Sequence, residues 1–238
     1  MNSFIKIVST GSIGNVLILY DSRGKCILLD VGLPYKEILK AVGFNLSNCV
    51  SVHCSHRHND HVKALSHFID SGIPCYANKD VCDHYKGCQL LDRMVKVDGF
   101  KVQTFELVHN APNNAFIVDT IDQIRVLYCT DTQYIPKRVK GVNVAVIECN
   151  FDDEVIVDNL CEGVENRSQF ENHHSLDRCI QYLKSIYSPD LTQVVLWHHS
   201  STNLNKEEAV RRVKEELSFD SVVMAEKGME IEICKEEF

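Results

Sequence analysis

The opening of the chain alternates short apolar runs with turn residues. Ser3–Ser9, Val16–Tyr20 and Cys26–Asp30 read as strands, the last two joined by the turn Asp21-Ser22-Arg23-Gly24. That spacing predicts a meander. A short helix over Tyr35–Val42 ends at Gly43, and a strand over Cys49–Ser55 then runs into a cluster of histidines. A second helix is predicted from about His61 to Asp70, closed by Gly72. Period-two alternation returns in Phe100–Val108, Asn114–Val118 and Ile124–Cys129, which read as strands of a second sheet. After the apolar run Val142–Cys149 come a helix over Ser175–Ile186, a strand over Thr192–Trp197 and a helix over Lys206–Leu217. In that last helix Glu207 and Glu208 precede Arg211 and Arg212 by four residues, predicting i,i+4 ion pairs on a solvated face. Strands and helices mix in both halves, with no internal repeat, so 1–238 reads as one domain.

Composition narrows the class. With 238 residues, 45% hydrophobic and 24% charged, the chain is long enough to bury a sizeable core. Its longest apolar runs fall far short of the ~20 residues a membrane helix needs, so no membrane association is expected. The first residues, MNSFIKIVSTGSIG, lack a basic segment followed by an apolar one, which predicts a cytoplasmic protein. Eleven cysteines, none spaced C-x-x-C, are expected to be reduced and mostly buried. A net charge of −8 argues against gripping a long polyanion over the whole surface. An anionic substrate must be attracted locally.

The sharpest chemistry is Cys54-Ser55-His56-Arg57-His58-Asn59-Asp60-His61, an H-x-H-x-D-H cluster at the end of a predicted strand. In an extended loop His56 and His58 point the same way, whereas Asp60 and His61 begin a helix and can face a second ion. Imidazole nitrogens with a hard carboxylate suit Zn²⁺ and, less well, Mn²⁺ or Fe²⁺. Four such groups in six residues are costly unless they bind something.

These motifs resemble the metallo-β-lactamase fold hydrolases over nearly the whole chain. Leu28-Leu29-Asp30-Val31-Gly32 resembles the family's first motif, and the histidine cluster its second. Val108-His109-Asn110-Ala111-Pro112 resembles the third, Cys129-Thr130-Asp131-Thr132 the fourth, and Leu196-Trp197-His198-His199-Ser200 the last. Within the superfamily the chain is similar to the YycJ/WalJ-like group, with tRNase Z-type phosphodiesterases as wider kin. That likeness rests on Gly11-Ser12-Ile13-Gly14-Asn15, Glu148-Cys149-Asn150, His173-His174-Ser175 and the segment from His198 to Asn203. The chain departs from the group's pattern at Asn110, Phe151 and Leu176.

The resemblance implies an α/β (α+β) fold, a four-layer αββα sandwich. It implies two divalent metal ions, Zn or Mn: one on His56, His58, His109 and Asp131, the other on Asp60, His61, Asp131 and His198. Asp60 doubles as a catalytic carboxylate, Asp30 orients a ligand from behind, and a hydroxide bridges the two ions. His173 is the expected proton donor to the leaving oxygen, with His174 as the competing assignment. Lys137, Arg138 and Lys140, a few residues past Asp131, together with Asn203, are the expected substrate-binding residues. The remaining histidines His53, His67 and His84 read as structural or surface residues.

Function follows from charge. Two divalent ions outweigh Asp60 and Asp131, so a compact anion is what the pocket should hold. The first expectation is a two-metal phosphodiesterase acting on DNA or another nucleic acid; the alternatives are a cyclic-nucleotide phosphodiesterase and a lactonase- or thioesterase-type hydrolase. The partner is then a nucleic acid or nucleotide substrate. The sequence leaves a homodimer as an open option. Between Asp131 and His198 there is no room for a β-CASP insertion, and no Gly/Pro-rich tRNA-holding arm is visible.

Overall fold

The computed structural model describes residues 2–91, 93–161 and 167–235. The meander is β1 (Phe4–Ser9), β2 (Val16–Tyr20) and β3 (Cys26–Leu29). It is followed by α1 (Tyr35–Ala41), β4 (Cys49–Cys54), α2 (Asn59–Val62), α3 (Leu65–Asp70), β5 (Cys75–Ala77), α4 (Lys79–His84) and β6 (Gln89–Leu90). The second half runs β7 (Met94–Val97), β8 (Phe100–Leu107), β9 (Asn113–Asp119), β10 (Arg125–Cys129), β11 (Val144–Glu148), α5 (Asp153–Cys161) and α6 (Arg167–Asn172). It closes with α7 (Leu176–Ile186), β12 (Gln193–Trp197), α8 (Lys206–Leu217), β13 (Val222–Met224) and β14 (Glu230–Glu232).

Two mixed sheets result, ordered β14-β1-β2-β3-β4-β5-β6 and β13-β12-β11-β10-β9-β8-β7. Each is antiparallel on one side and parallel on the other, with β3 to β6 parallel in the first and β10 to β13 parallel in the second. Three apolar clusters show how the layers stack. Ile5, Leu17, Leu19 and Leu29 of the first sheet meet Phe116, Val126, Val146 and Trp197 of the second. The opposite face of the first sheet, through Val16, Ile18 and Leu28, packs on Ile38, Leu65, Phe68 and Val81 of α1, α3 and α4. The opposite face of the second, through Leu127, Ile147 and Leu196, packs on Cys179, Leu183, Ala209 and Val213 of α7 and α8. Strands covered on both faces must be apolar at every position, which is why β2, β3 and β11 read as continuous rather than alternating runs. The layers are α, β, β, α, as the resemblance implied.

The departures from the sequence reading have local causes. The helix predicted from His61 to Asp70 is two helices, because the Ala64 N–H donates to Val31 O at 2.9 Å instead of continuing the helical ladder. The break turns Asp60 and His61 away from the axis of α3. On α8 the predicted i,i+4 pairs do not form. Arg211 is bound instead by Glu208 and Glu215, while Arg212 reaches Asp152 at 3.1 Å and Asp177 at 2.5 Å, tying α8 to α7 and to the loop after β11. Phe151 and Leu176, two of the positions where the chain departs from its resemblance, are buried in packed surroundings, Phe151 against the Phe170 ring. The ten cysteines described are free thiols, seven of them buried. Among the described residues, no helix is long and apolar enough to cross a membrane.

Truncating a core contact should cost far more than truncating a surface one. Leu183→Ala, completely buried between α7 and the second sheet, should lower unfolding stability by about 2–5 kcal/mol, whereas Ile121→Ala, 47% exposed, should change it by less than about 0.5 kcal/mol, both read by urea denaturation.

Candidate metal centre

The parallel strands of both sheets end on the same side, and their carboxyl ends carry the polar groups. β3 delivers Asp30, β4 delivers Ser55 and His56, β10 delivers Asp131, β11 ends in Glu148, and β12 delivers His198. Crevices beyond the carboxyl ends of parallel strands are where such sheets gather ligands. Asp30, Asp131 and His198 each take a left-handed backbone conformation, with φ of 60°, 49° and 50°. Chain direction therefore reverses sharply just as the side chain leaves the sheet.

Three donor groups are brought together: His56, His58 and His109; Asp60, His61, Asp131 and His198; and Glu148, His173 and His198. The first two adjoin, with the His56 ring 4.1 Å from His61 and 4.9 Å from His109 between centroids. Asp131 belongs to the second group; its Oδ1 lies 3.3 Å from His61 Nε2 and 3.4 Å from His198 Nδ1. The Asp60 Oδ2 also lies 3.3 Å from His61 Nε2.

The donor set fits divalent cations. The His61 Nδ1–H donates to Asp30 Oδ2 at 2.8 Å, that of His56 to Ser55 Oγ at 3.1 Å, and that of His109 to Asn172 O at 3.1 Å. Each bond fixes the tautomer and leaves Nε2 as a lone-pair donor, the arrangement that metal-ligating histidines use. The buried Nε2 of His198 has no hydrogen-bond partner. Burial, reinforced by the neighbouring His61, pushes the His56 imidazole well below its usual range, and burial lowers His109 as well, so both are neutral ligands. Burial opposes charge on Asp131 too, yet His198 and His61 hold it well below the usual carboxylate range. Burial also disfavours a protonated His61, but Asp131 and Asp30 outweigh it and raise that imidazole strongly. A field that holds a proton on a fully buried imidazole is one that a cation neutralises.

Asp30 is fully buried and accepts four bonds: from Ser55 N at 2.7 Å, Ser55 Oγ at 3.0 Å, His61 Nδ1 at 2.8 Å and Tyr128 Oη at 2.9 Å. The glycine turn is also built into the centre. The Asn15 N–H donates to Asp60 O at 2.8 Å, and its side-chain amide lies 3.0 Å from His61 Nε2. A Cβ on Gly32 would stand 1.6 Å from Asp60 O, and one on Gly14 2.5 Å from Gly32 O, so only glycine lets these backbones approach.

His173 and His174 are sorted by the same geometry. His173 Nδ1 donates to Glu148 Oε1 at 2.6 Å, and its ring lies 5.2 Å from His198 and 5.8 Å from His109. Burial would lower the His173 imidazole, but Glu148 overrides it and raises it to about 9. His174 turns away to Gln133 O at 3.3 Å. His199, likewise beside a cluster residue, belongs to none of the three groups.

The expected substrate-binding set does not converge. Lys137 Nζ sits over the Phe105 ring, 5.4 Å from its centroid. Lys140 is bonded through its carbonyl to Arg125 Nη1 at 2.9 Å, at the amino end of β10 and so on the far side of the sheet from Asp131. Asn203 is completely buried, and its backbone carbonyl accepts the Asp152 N–H at 2.8 Å, which closes a loop. Arg138 alone of the four lines a cavity near the cluster. Sequence reasoning gave Glu148 and Asn15 no role in the site, although both lie in segments that carry the resemblance, Glu148-Cys149-Asn150 and the glycine turn ending at Asn15.

Comparison with known proteins sets this geometry in context. No family model matches the chain. The metallo-β-lactamase fold protein YhfI from Bacillus subtilis superposes with a TM-score of 0.77 over 98% of this chain and 100% of that one, at 15% identity. This is the metallo-β-lactamase fold. Human tRNase Z, short form, shares the metallo-β-lactamase fold with a TM-score of 0.68 over 97% of this chain and 99% of that one, at 16% identity. In sequence, the exodeoxyribonuclease YycJ of Bacillus anthracis is 28% identical over 175 residues, a stretch that covers 66% of either chain. The match therefore spans about two thirds of that relative's length.

Asp30→Asn keeps the shape but removes the charge that holds His61. Zn²⁺ affinity should fall about 10–100-fold in equilibrium dialysis, as when other partners of ligating histidines are lost; an unchanged affinity would separate Asp30 from the centre.

Proposed function

We propose that the chain is a two-metal phosphodiesterase that acts on nucleic acid, DNA in the first instance. The observation that carries this reading is the Glu148–His173 pair standing on the rim of the clustered histidines and carboxylates. His56, His58, His109 and Asp131 would hold one ion, and Asp60, His61, Asp131 and His198 the other, with Zn²⁺ or Mn²⁺ suiting nitrogen donors mixed with carboxylates. When bound, the ions supply Lewis acidity and a nucleophile that is active at neutral pH. The similarity to an exodeoxyribonuclease and to tRNase Z supports a nucleic-acid substrate.

The chain's own residues account for the remaining chemistry. An alkoxide leaves from phosphorus poorly unless it is protonated, and His173, kept protonated at neutral pH by Glu148, holds a proton at Nε2 while Nδ1 stays on the carboxylate. Glu148 cannot turn away, because its second oxygen takes the Thr132 N–H at 2.6 Å. Ser55, Asp30 and Asn15 position the imidazoles and Asp60, and the burial of His56, His61 and Asp131 excludes bulk water from the floor of the centre.

Two measurements test this. Elemental analysis should find two ions per chain and none firmly held in Asp131→Ala; one tightly bound ion in fully active protein overturns the two-ion reading. His173→Ala should keep its metal, slow hydrolysis of an unactivated dinucleotide about 10²–10⁴-fold and largely spare an activated aryl phosphodiester. Because a raised pKa means the protonated form is the working one, the dinucleotide rate should hold below the pKa and fall as pH rises through it, and Glu148→Gln should move that fall to lower pH. A protein that opens lactones or thioesters while ignoring every phosphodiester sinks the proposal.

A further inference from the structure

A cavity of about 250 Å³ is walled by the loop that follows Asp131 and by one side of α7 from Arg178 to Ser185, and it reaches His174, the neighbour of His173. Arg138, Arg178, Tyr134, Tyr182 and His174 line it. Its two arginines differ from five others of the chain, although the exposed Arg93 likewise has no carboxylate partner among the described residues. Arg23, Arg57, Arg125, Arg211 and Arg212 each lie against a carboxylate. Among the described residues, no carboxylate pairs with Arg138 or Arg178. The Arg178 guanidinium donates to Gln133 O at 3.3 Å and stands 5.9 Å from the Phe170 ring centroid, which leaves most of its donors unused. Two guanidinium groups on one small cavity, neither paired with a carboxylate among the described residues, suit the recognition of phosphate oxygens.

Two further features point to a nucleotide. His174 is 1% exposed; with its Nδ1–H on Gln133 O, its Nε2 is a bare acceptor and has no partner. A ligand hydroxyl would satisfy it. Tyr134 is 59% exposed at the rim, its backbone fixed by the Thr132 Oγ1–H on Tyr134 O at 2.7 Å. An exposed ring beside a basic cavity is a stacking platform for a base. The cavity is smaller than the roughly 300–1,000 Å³ of sites that enclose a drug-sized ligand, so it has room for a phosphate and sugar but not the base. We propose that it receives the nucleotide next to the scissile one, with the phosphate on Arg138 and Arg178 and the base on Tyr134. The inference rests on the phosphodiesterase reading for its place in the reaction, but the cavity itself can be tested without turnover.

The test uses the full, metal-loaded chain with metal content checked in every variant. Calorimetric titration with thymidine 5′-monophosphate should show binding that weakens at least tenfold in Arg138→Ala/Arg178→Ala. The KM for a thymidine dinucleotide bearing a terminal phosphate, taken relative to that for an aryl phosphodiester without a second phosphate, should rise at least tenfold in the same variant. Tyr134→Ala should raise that ratio several-fold and Tyr134→Phe should not, since the ring is what stacks. Lys184→Ala removes a charge from the same helix, paired with Glu216 away from the cavity, and should leave the ratio unchanged. Should Arg178→Ala fail to fold, the exposed Arg138→Ala and the charge-keeping Arg178→Lys carry the comparison. Unchanged nucleotide affinity and an unchanged ratio in folded, metal-replete double variant overturn the proposal. If the parent protein cleaves neither substrate, the hydrolytic reading falls, and the titration decides the cavity: loss of binding sustains it and unchanged binding ends it.

Discussion

A carboxylate enclosed between two β-sheets is tolerable only when its lone pairs are answered, and Asp30 imposes that condition on everything around it. Moving such an ion out of water costs several kcal/mol even after relaxation. The compensation comes from four donors on three other elements: β3 carries the aspartate, the end of β4 brings two donors on Ser55, α2 brings His61, and β10 in the other sheet brings Tyr128. The Tyr128 bond crosses from one sheet to the other, so the relative position of the two layers and the orientation of a cluster histidine are set by one charge. A hydrophobic residue at position 30 would remove that inter-sheet bond and the acceptor that orients His61.

The second constraint is backbone shape at the strand ends. Left-handed conformations at Asp30, Asp131 and His198 cost of order 1–3 kcal/mol each for residues with a side chain. Aspartate and histidine tolerate them better than branched residues do, which makes the residue types that bind metal also the types that can occupy these turns. Packing repays the strain, since each follows a strand that is buried on both faces. Gly32 and Gly14 belong to the same device. They let the loop after β1 and the chain after β3 close on Asp60, so its placement depends on backbone approach that no side chain could make.

Long, periodic segments were legible from residues alone: β2, β3, α1, α7 and α8 lie within a residue or two of where the pattern puts them. The short elements β5, β6, β13 and β14, of two or three residues, carry too little pattern to register a period, and three of them are edge strands, where pairing decides the conformation. The histidine cluster was legible because ligand spacing is a local property. What lay outside it was not: whether Lys140 stands near Asp131 depends on which end of β10 the chain returns to, and the complete burial of Asn203 depends on how distant segments close over its loop. Glu148 was hidden for the opposite reason. A charge at the end of an apolar strand signals only a strand end until its partners, far apart in sequence, are seen around it.

Those partners give Glu148 a role that parallels Asp30 on the other sheet. One oxygen accepts from His173 at 2.6 Å and from His198 at 2.9 Å, and the other from Thr132 N at 2.6 Å and His174 N at 3.3 Å. The carboxylate thus touches His198 of the clustered donors, His173, and two segments that lead into the neighbouring cavity wall. Any shift of His198 toward a cation redistributes the bonds that His173 and His174 make to the same carboxylate, because neither oxygen has a spare geometry to offer. Substitutions on these three arms should therefore fail to add when combined, in contrast to pairs that share no partner. Two buried carboxylates, Asp30 and Glu148, thus fix where the imidazoles gather in a chain of net charge −8.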